Sequence, residues 1–469
     1  MSQTRPARVM LDAPITKTLW QMTWPMVFGV ATLISFNVVD TFFISLLGTE
    51  ALAAIGFTFP VTFTVISLTI GLGIGTSAVI ARKLGAEKTR QARHVGSSAL
   101  YLAALLVALL SLAGWLLARP IFSVLGATDE LMPLIMSYMN WWFLGAVMLV
   151  IPMIGNSVLR ASGDTKTPSM IMALGGVLNA IFDPLLIFGW GPVPALGMQG
   201  AALASVLSWS IGFVLIVYWL VVRKKLIDPW PPSFSVFVAS SRRLLSIGLP
   251  AAGANMMTPL AMGIMTAIVA TYGAAAVAGF GAGIRLESLA SIFILALSMS
   301  LPPFISQNFG AGKMDRVRAA YRTALAAVFI IQLVIYGLMV VCLPLIQMAF
   351  AREGAVAQVL AWFVWIMPLS YGLQGWVILT NSSMNALHMP LRALLLSMVR
   401  LFMLFVPLSY LGSHLAGLQG LFVGGLIANI LTAIVSYHWF MRILNDYEQD
   451  TGPLQMAGPV TSPGARSGK

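Results

Sequence analysis

Apolar residues in this chain come in long continuous runs rather than in alternation. From Thr18 to Phe440 these runs recur between short polar segments, and each holds the roughly 20 residues that a helix needs to cross a bilayer core. The pattern predicts twelve spans, approximately 18–46, 51–80, 96–118, 131–158, 168–190, 196–222, 244–271, 276–306, 319–343, 356–385, 391–413 and 416–441. A membrane β-barrel needs a period-two pattern, which the runs lack. The expected fold class is an all-α membrane protein with twelve transmembrane helices.

Composition agrees. Of 469 residues, 59% are hydrophobic and only 9% are charged, against about 25% charged in a water-soluble domain, and the mean hydropathy is +0.90. The net charge of +12 would point to nucleic acid in a soluble protein, but its location points elsewhere. Most Lys and Arg lie in the N-terminal segment, the C-terminal tail and alternate loops, with Arg82, Lys83, Lys88, Arg223, Lys224, Lys225, Arg242, Arg243, Lys313 and Arg316 among them. By the positive-inside rule that side, with both termini, is expected to be cytoplasmic. Nucleic acid is not an expected partner; the lipid bilayer is. Cys342 is the only cysteine, so no internal disulfide and no cysteine-based metal site is expected. The four histidines are scattered near span ends, and no metal is expected at them. The N-terminal apolar run is too long for a cleaved signal peptide.

The chain reads as a duplication. Pro25 falls on Pro250, Gly48 on Gly273, Gly56 on Gly281, Gly85 on Gly310, Lys88 on Lys313 and Asn156 on Asn381, all at an offset of 225. After small slips Pro184 falls on Pro407 and Gly189 on Gly412. The expected organisation is an N-terminal segment 1–17, a first lobe 18–222 with six helices, a polar linker 223–243, a second lobe 244–442 with six helices, and a disordered tail 443–469. An even number of spans per half makes the two halves parallel repeats about an axis along the membrane normal, with a central cleft between them.

Few ionisable residues fall within spans, where each is costly and therefore informative. Asp40 in the first span and Asp183 in the fifth lie about 9–12 Å below the same ends of their helices, counting 1.5 Å per residue. Their repeat counterparts are Met265 and Val406, so the pair belongs to the first half alone. Asn179 precedes Asp183 by one turn on the same helix face. Pro184 removes a backbone donor and frees the carbonyl of Ala180. These are hard oxygen ligands, suited to a hard cation or a proton; the alternative is an aspartate satisfied by a neighbouring helix. Arg285, Glu287 and Arg400 are further within-span charges, and Arg285 and Glu287 do not face each other. Asn37, Asn156, Gln374 and Asn381 are candidates for lining a polar cavity, or for holding helices together. The glycines of "GLGIGTSAV" lie in a span with no strand before them, so they fail the dinucleotide context. There is no phosphate-binding loop of the G-x-x-x-x-G-K type, and ATP is not expected as a partner.

Several stretches together resemble the multidrug and toxic compound extrusion (MATE) transporters: "VVDTFFI", "GTSAVIARKLGAEK", "RASGDTKTP", "NAIFDP" and "RLES…ALSMSLPPFISQNFGAGK". The likeness covers residues 15–442 and is closer to the DinF-like branch than to the NorM-like one, whose further acid would fall on Thr258. The resemblance implies a cation site at Asp40, Asn179 and Asp183. A hydroxyl on the sixth span, which contributes in some members, aligns with Ala201 and leaves Ser205 as the nearby candidate. It implies no enzyme activity and no cofactor, but a secondary antiporter, expected as a monomer in a bacterial inner membrane. Such an antiporter exports organic, often cationic and amphipathic compounds in exchange for H⁺ or Na⁺. The alternative is a flippase for a lipid-linked oligosaccharide on a related fold, which would need a more basic central cavity than Arg285 and Arg400 provide.

Overall fold

The computed structural model describes residues 10–350 and 354–450. The first half contains α1 (Ile15–Ser45), α2 (Thr49–Gly85), α3 (Thr89–Val124), α4 (Met132–Ala161), α5 (Lys166–Ile187) and α6 (Met198–Tyr218), the last continued by a π-helical turn, Trp219–Arg223. The second half contains α7 (Phe234–Ala270), α8 (Ala274–Ala290), α9 (Ile292–Gly310), α10 (Met314–Val341), α11 (Leu343–Phe350), α12 (Gly354–Ile366), α13 (Tyr371–Ala386), α14 (Pro390–Met398) and α15 (Val406–Asp450), with a π-helical segment, Val399–Phe405, between the last two.

Among the described residues, 11 helical stretches are long and apolar enough to cross a bilayer. The longest, Pro390–Tyr447 with 58 residues, holds two crossings. The backbone leaves helical geometry at Ala416 and Gly417. Gly420 then returns against Gly412, and Gly424 against the carbonyl of Leu408. Counted this way the crossings are the twelve expected, and the protein is a multi-pass membrane protein. Its outer surface carries Leu116, Ile330 and Leu338 more than half exposed, as a lipid-facing surface does.

Three boundaries differ from the hydropathy reading. The eighth run is not one helix: it breaks at Ser291, between α8 and α9. There the Gln332 side chain donates to the carbonyl of Ala290 at 2.9 Å, satisfying an acceptor near the interruption. The second part of the polar stretch 223–243 is helical, because α7 already starts at Phe234 and seats Ser240 and Ser241 in buried positions. The last helix continues past residue 442 because Ile443 and Leu444 are buried at 3% and 0% exposure; of the expected tail, residues 451–469 lie outside the described residues.

The repeat is visible in backbone detail. Gly48 and Gly273 both precede a helix with φ of 115° and 98°, a left-handed region open to glycine and rare for other residues. Gly85 lies against the backbone of Gln307, while Gly310 lies against the backbone of Arg82. These two contacts exchange under the offset of 225, and neither leaves room for a side chain.

Two helices tie the halves together. The beginning of α1 places Leu19 and Met22 in a core made otherwise by the second half and Met10. The beginning of α7 places Leu244 and Ile247 in the core of the first half. Farther along, Ile44 of α1 belongs to the first-half core, and Met265 and Val269 of α7 belong to a separate second-half core. The halves therefore interlock at the end rich in Lys and Arg and keep separate cores toward the other end, with the cleft between them. At the interlocked end α2 and α7 approach to backbone contact at Gly71 and Gly248, and Thr23 hydrogen-bonds Ser300 at 2.7 Å across α1 and α9.

Candidate functional site

The polar interior of the first half is built on α1, α4, α5 and α6. Gly176 lets α5 close onto Thr32 of α1, which holds the two aspartate-bearing helices side by side. One and two turns beyond, Asn179 and Asp183 are both fully buried. Asn179 donates through Nδ2 to Ser205 Oγ of α6 at 3.3 Å, and its Oδ1 has no hydrogen-bond partner among the described residues. Among the described residues neither oxygen of Asp183 has a partner in hydrogen-bond geometry, and the neutral Asn179 amide lies beside it; Oδ1 of Asp40, half-buried on α1, has none. The two carboxylates interact electrostatically with each other, and both do so with Tyr138 of α4.

This is a cluster of oxygen acceptors with few donors. An ionised carboxylate in such surroundings carries a desolvation penalty of several kcal/mol unless something positive compensates it. Two carboxylates, an amide oxygen and the hydroxyl of Ser205 are the hard ligands that a proton or a small cation satisfies. In the second half the counterpart of Asp40, Met265, is 1% exposed within an apolar core. The aspartate pair thus has no counterpart in the second half of the repeat.

A second polar cluster lies in the other half. Glu287 of α8 accepts a hydrogen bond from Gln374 Nε2 of α13 at 2.9 Å and interacts electrostatically with Arg400 and with the buried Tyr371. Arg400 sits in the π-helical segment Val399–Phe405, and π-helical turns frequently mark functional positions. Sequence reasoning named Glu287, Gln374 and Arg400 separately; the structure brings them together. Arg285 is exposed and has no hydrogen bond or ion pair among the described residues.

The remaining candidates are dispersed. Asn156 is buried on α4 with its Oδ1 unpartnered, and its counterpart Asn381 donates to Ser397 Oγ at 3.0 Å. Asn37 lies on α1, but its side chain is outside those described. Tyr138 and Tyr371 were missed by the sequence reading. A tyrosine within a span reads as an interfacial anchor, and only the packing of four helices shows which acids it meets.

A sequence model of the family MatE matches residues 25–185 and again 250–411, the two halves of the repeat. The chain belongs to the MATE family. It is a transporter and not an enzyme. Among MATE relatives, it is 40% identical to the FAD transporter of Shewanella oneidensis over 94% of this chain and 98% of that one. It is 25% identical to the multidrug export protein MepA of Staphylococcus aureus over 90% of this chain and 93% of that one. Among solved structures, the Vibrio cholerae MATE transporter VcmN in its bent form superposes with a TM-score of 0.88 at 34% identity, covering 94% of this chain and 99% of that one.

Proposed function

We propose that this MATE transporter is a secondary antiporter of a bacterial inner membrane, with the basic end of the bundle and both termini in the cytoplasm. In this reading a proton or Na⁺ binds among Asp40, Asn179 and Asp183, with Ser205 orienting Asn179, and its inward movement drives export of an amphipathic organic compound. The observation that carries the reading is the pair of aspartates, half-buried Asp40 on α1 and buried Asp183 on α5, with oxygens that have no hydrogen-bond partner among the described residues. A bound cation compensates these carboxylates, and its release restores the uncompensated charge. The ion thus has different affinity for two arrangements of the first half, which is the condition for a ligand to drive a change. Each elementary charge moving inward supplies about 2.3 kcal/mol per 100 mV.

For the cargo, the relative that is 40% identical along 94% of this chain favours a flavin dinucleotide as the first compound to test, ahead of the cationic compounds that the sequence resemblance implied.

The test uses purified protein in liposomes with an imposed proton or Na⁺ gradient. Asp40→Asn keeps size and hydrogen-bonding reach but removes the ionisable charge. The variant should insert and fold normally, and gradient-driven cargo movement should fall to the level of empty liposomes. Asp40→Glu should retain part of it. If Asp40→Asn couples cargo to either gradient at nearly the wild-type rate, the assignment of the aspartates is wrong.

A further inference from the structure

The basic end carries a cavity of about 730 Å³ that straddles the two halves. Arg82, Lys83 and Lys88 line it from the end of α2 and the turn after it, and Arg243 of α7 and Arg392 of α14 line it from the other half. Among the described residues no Asp or Glu is in its wall. None of the five cations forms an ion pair among the described residues. Arg82 packs over the Phe309 ring at 4.7 Å and Lys83 donates to Gln91 at 2.7 Å, so both are held in place without being neutralised. Lys83 is near enough to Arg82, Lys88 and Arg243 to be repelled by each, and Arg82 is repelled by Arg243.

The repeat provides an internal control. The counterparts of Arg82, Lys83, Lys88 and Gln91 are Gln307, Asn308, Lys313 and Arg316. In the second half, a stretch of the chain itself occupies this place. Asn308 Nδ2 donates to the carbonyl of Met10 at 3.1 Å. Lys313 Nζ donates to the carbonyl of Leu11 at 3.1 Å and to Asp12 Oδ1 at 2.9 Å. Arg316 donates to the carbonyls of Met10 at 3.2 Å and Ala13 at 2.7 Å. Lys313 thus receives a carboxylate from its own chain. Lys88, its counterpart, faces an open cavity with more positive charge and, among the described residues, no chain-supplied anion.

We propose that this cavity binds a phosphate-bearing anion, either a soluble pyrophosphate group or the phosphodiester of an anionic lipid. The ligand bridges Arg82 and Lys88 of one half to Arg243 and Arg392 of the other. The guanidinium fork matches phosphate oxygens in pairs, and lysine adds point charge. The cavity exists only while the halves are interlocked at this end, so occupancy strengthens that arrangement over one in which they separate there. The site is distinct from the aspartate pair and requires no gradient, so its test and the coupling test fail independently.

The probe is inorganic pyrophosphate, titrated onto purified full-length protein in nanodiscs of zwitterionic lipid, with sulfate at matched ionic strength as the control. Wild type should bind pyrophosphate in preference to sulfate, and its thermal unfolding midpoint should rise with occupancy. The double variant Lys88→Gln, Arg392→Gln should bind at least tenfold more weakly; both side chains are exposed, and Arg392→Gln alone gives a smaller loss if the pair does not fold. Lys313→Gln should leave pyrophosphate affinity unchanged. Repeating the titration with phosphatidylglycerol in the nanodisc distinguishes the sources. Competition assigns the site to a lipid headgroup, and undiminished binding assigns it to a soluble phosphate. Equal affinity in wild type and the double variant overturns the proposal. So does absence of pyrophosphate binding together with no stabilisation by phosphatidylglycerol that the double variant abolishes.

Discussion

Asp183 and Glu287 are both carboxylates inside the membrane-spanning bundle, but their surroundings differ. Glu287 has a hydrogen bond from Gln374 and the charge of Arg400 nearby. Among the described residues Asp183 has no donor in hydrogen-bond geometry on either oxygen, only the neutral Asn179 amide beside it, and no cation. A carboxylate already compensated by its own protein has little left to offer a cation. Asp183→Asn is therefore expected to abolish gradient-coupled transport while leaving stability unchanged or improved. Glu287→Gln should reduce transport by less than tenfold and lower stability by about 1–3 kcal/mol, because Gln374 and Arg400 lose their charged partner. Comparable loss of coupled flux in both variants at equal membrane expression would move Glu287 into the coupling site. The matched depth of the two aspartates and the one-turn spacing of Asn179 and Asp183 were legible in the sequence, since both follow from helical geometry. The meeting of Glu287 with Arg400 was not, because it depends on how α8 packs against α13 and the π-helical segment, which no spacing along one helix encodes.

At the scale of elements, the opening of α5 shows how a short motif becomes a joint. Asp164 of "RASGDTKTP" accepts from the Thr167 amide at 3.0 Å and from the Thr167 hydroxyl at 2.8 Å, and it pairs with Lys224 after α6 at 2.8 Å. Burial opposes its charge, yet the hydrogen bonds from Lys224 and Thr167 outweigh burial and hold its carboxyl below the usual range. A carboxyl depressed in the folded state contributes fully above its unfolded value of about 3.9, and that contribution is lost as pH falls through the lower folded value. Asp164→Ala should cost about 1–2 kcal/mol at neutral pH. The gap from wild type in thermal unfolding should close as pH falls below about 3.9. The same scale explains which helix boundaries hydropathy missed. Apolar runs report how long a segment stays out of water, so they located the crossings. They carry no signal for the break at Ser291, where Gln332 of another helix meets the Ala290 carbonyl. Nor do they show the helical start of α7 in a polar stretch.

For the whole molecule, the proposed orientation makes a direct prediction. In a Cys342→Ala background, cysteines at the exposed positions Ala86 and Thr89 should be shielded from an impermeant thiol reagent applied outside intact cells. Cysteines at Thr49 and Gly354, also exposed, should react with it. The reverse pattern would invert the bundle and with it the direction of coupling. The duplication was legible because its glycines are required by backbone contacts such as those of Gly85 and Gly310. The docking of residues Met10–Ala13 was not, because a stretch of four residues is too short to show periodicity. That docking also bears on how the protein is made. Met10 is held by Asn308 and Arg316, partners 298 and 306 residues later in the chain. At a synthesis rate of about 5–20 residues per second, the first helix waits roughly 15–60 s in the bilayer before its leading segment has anywhere to dock. Residues translated well before their partners are thus among the last to be fastened, and closure of the interlocked end is a late event in the birth of each molecule.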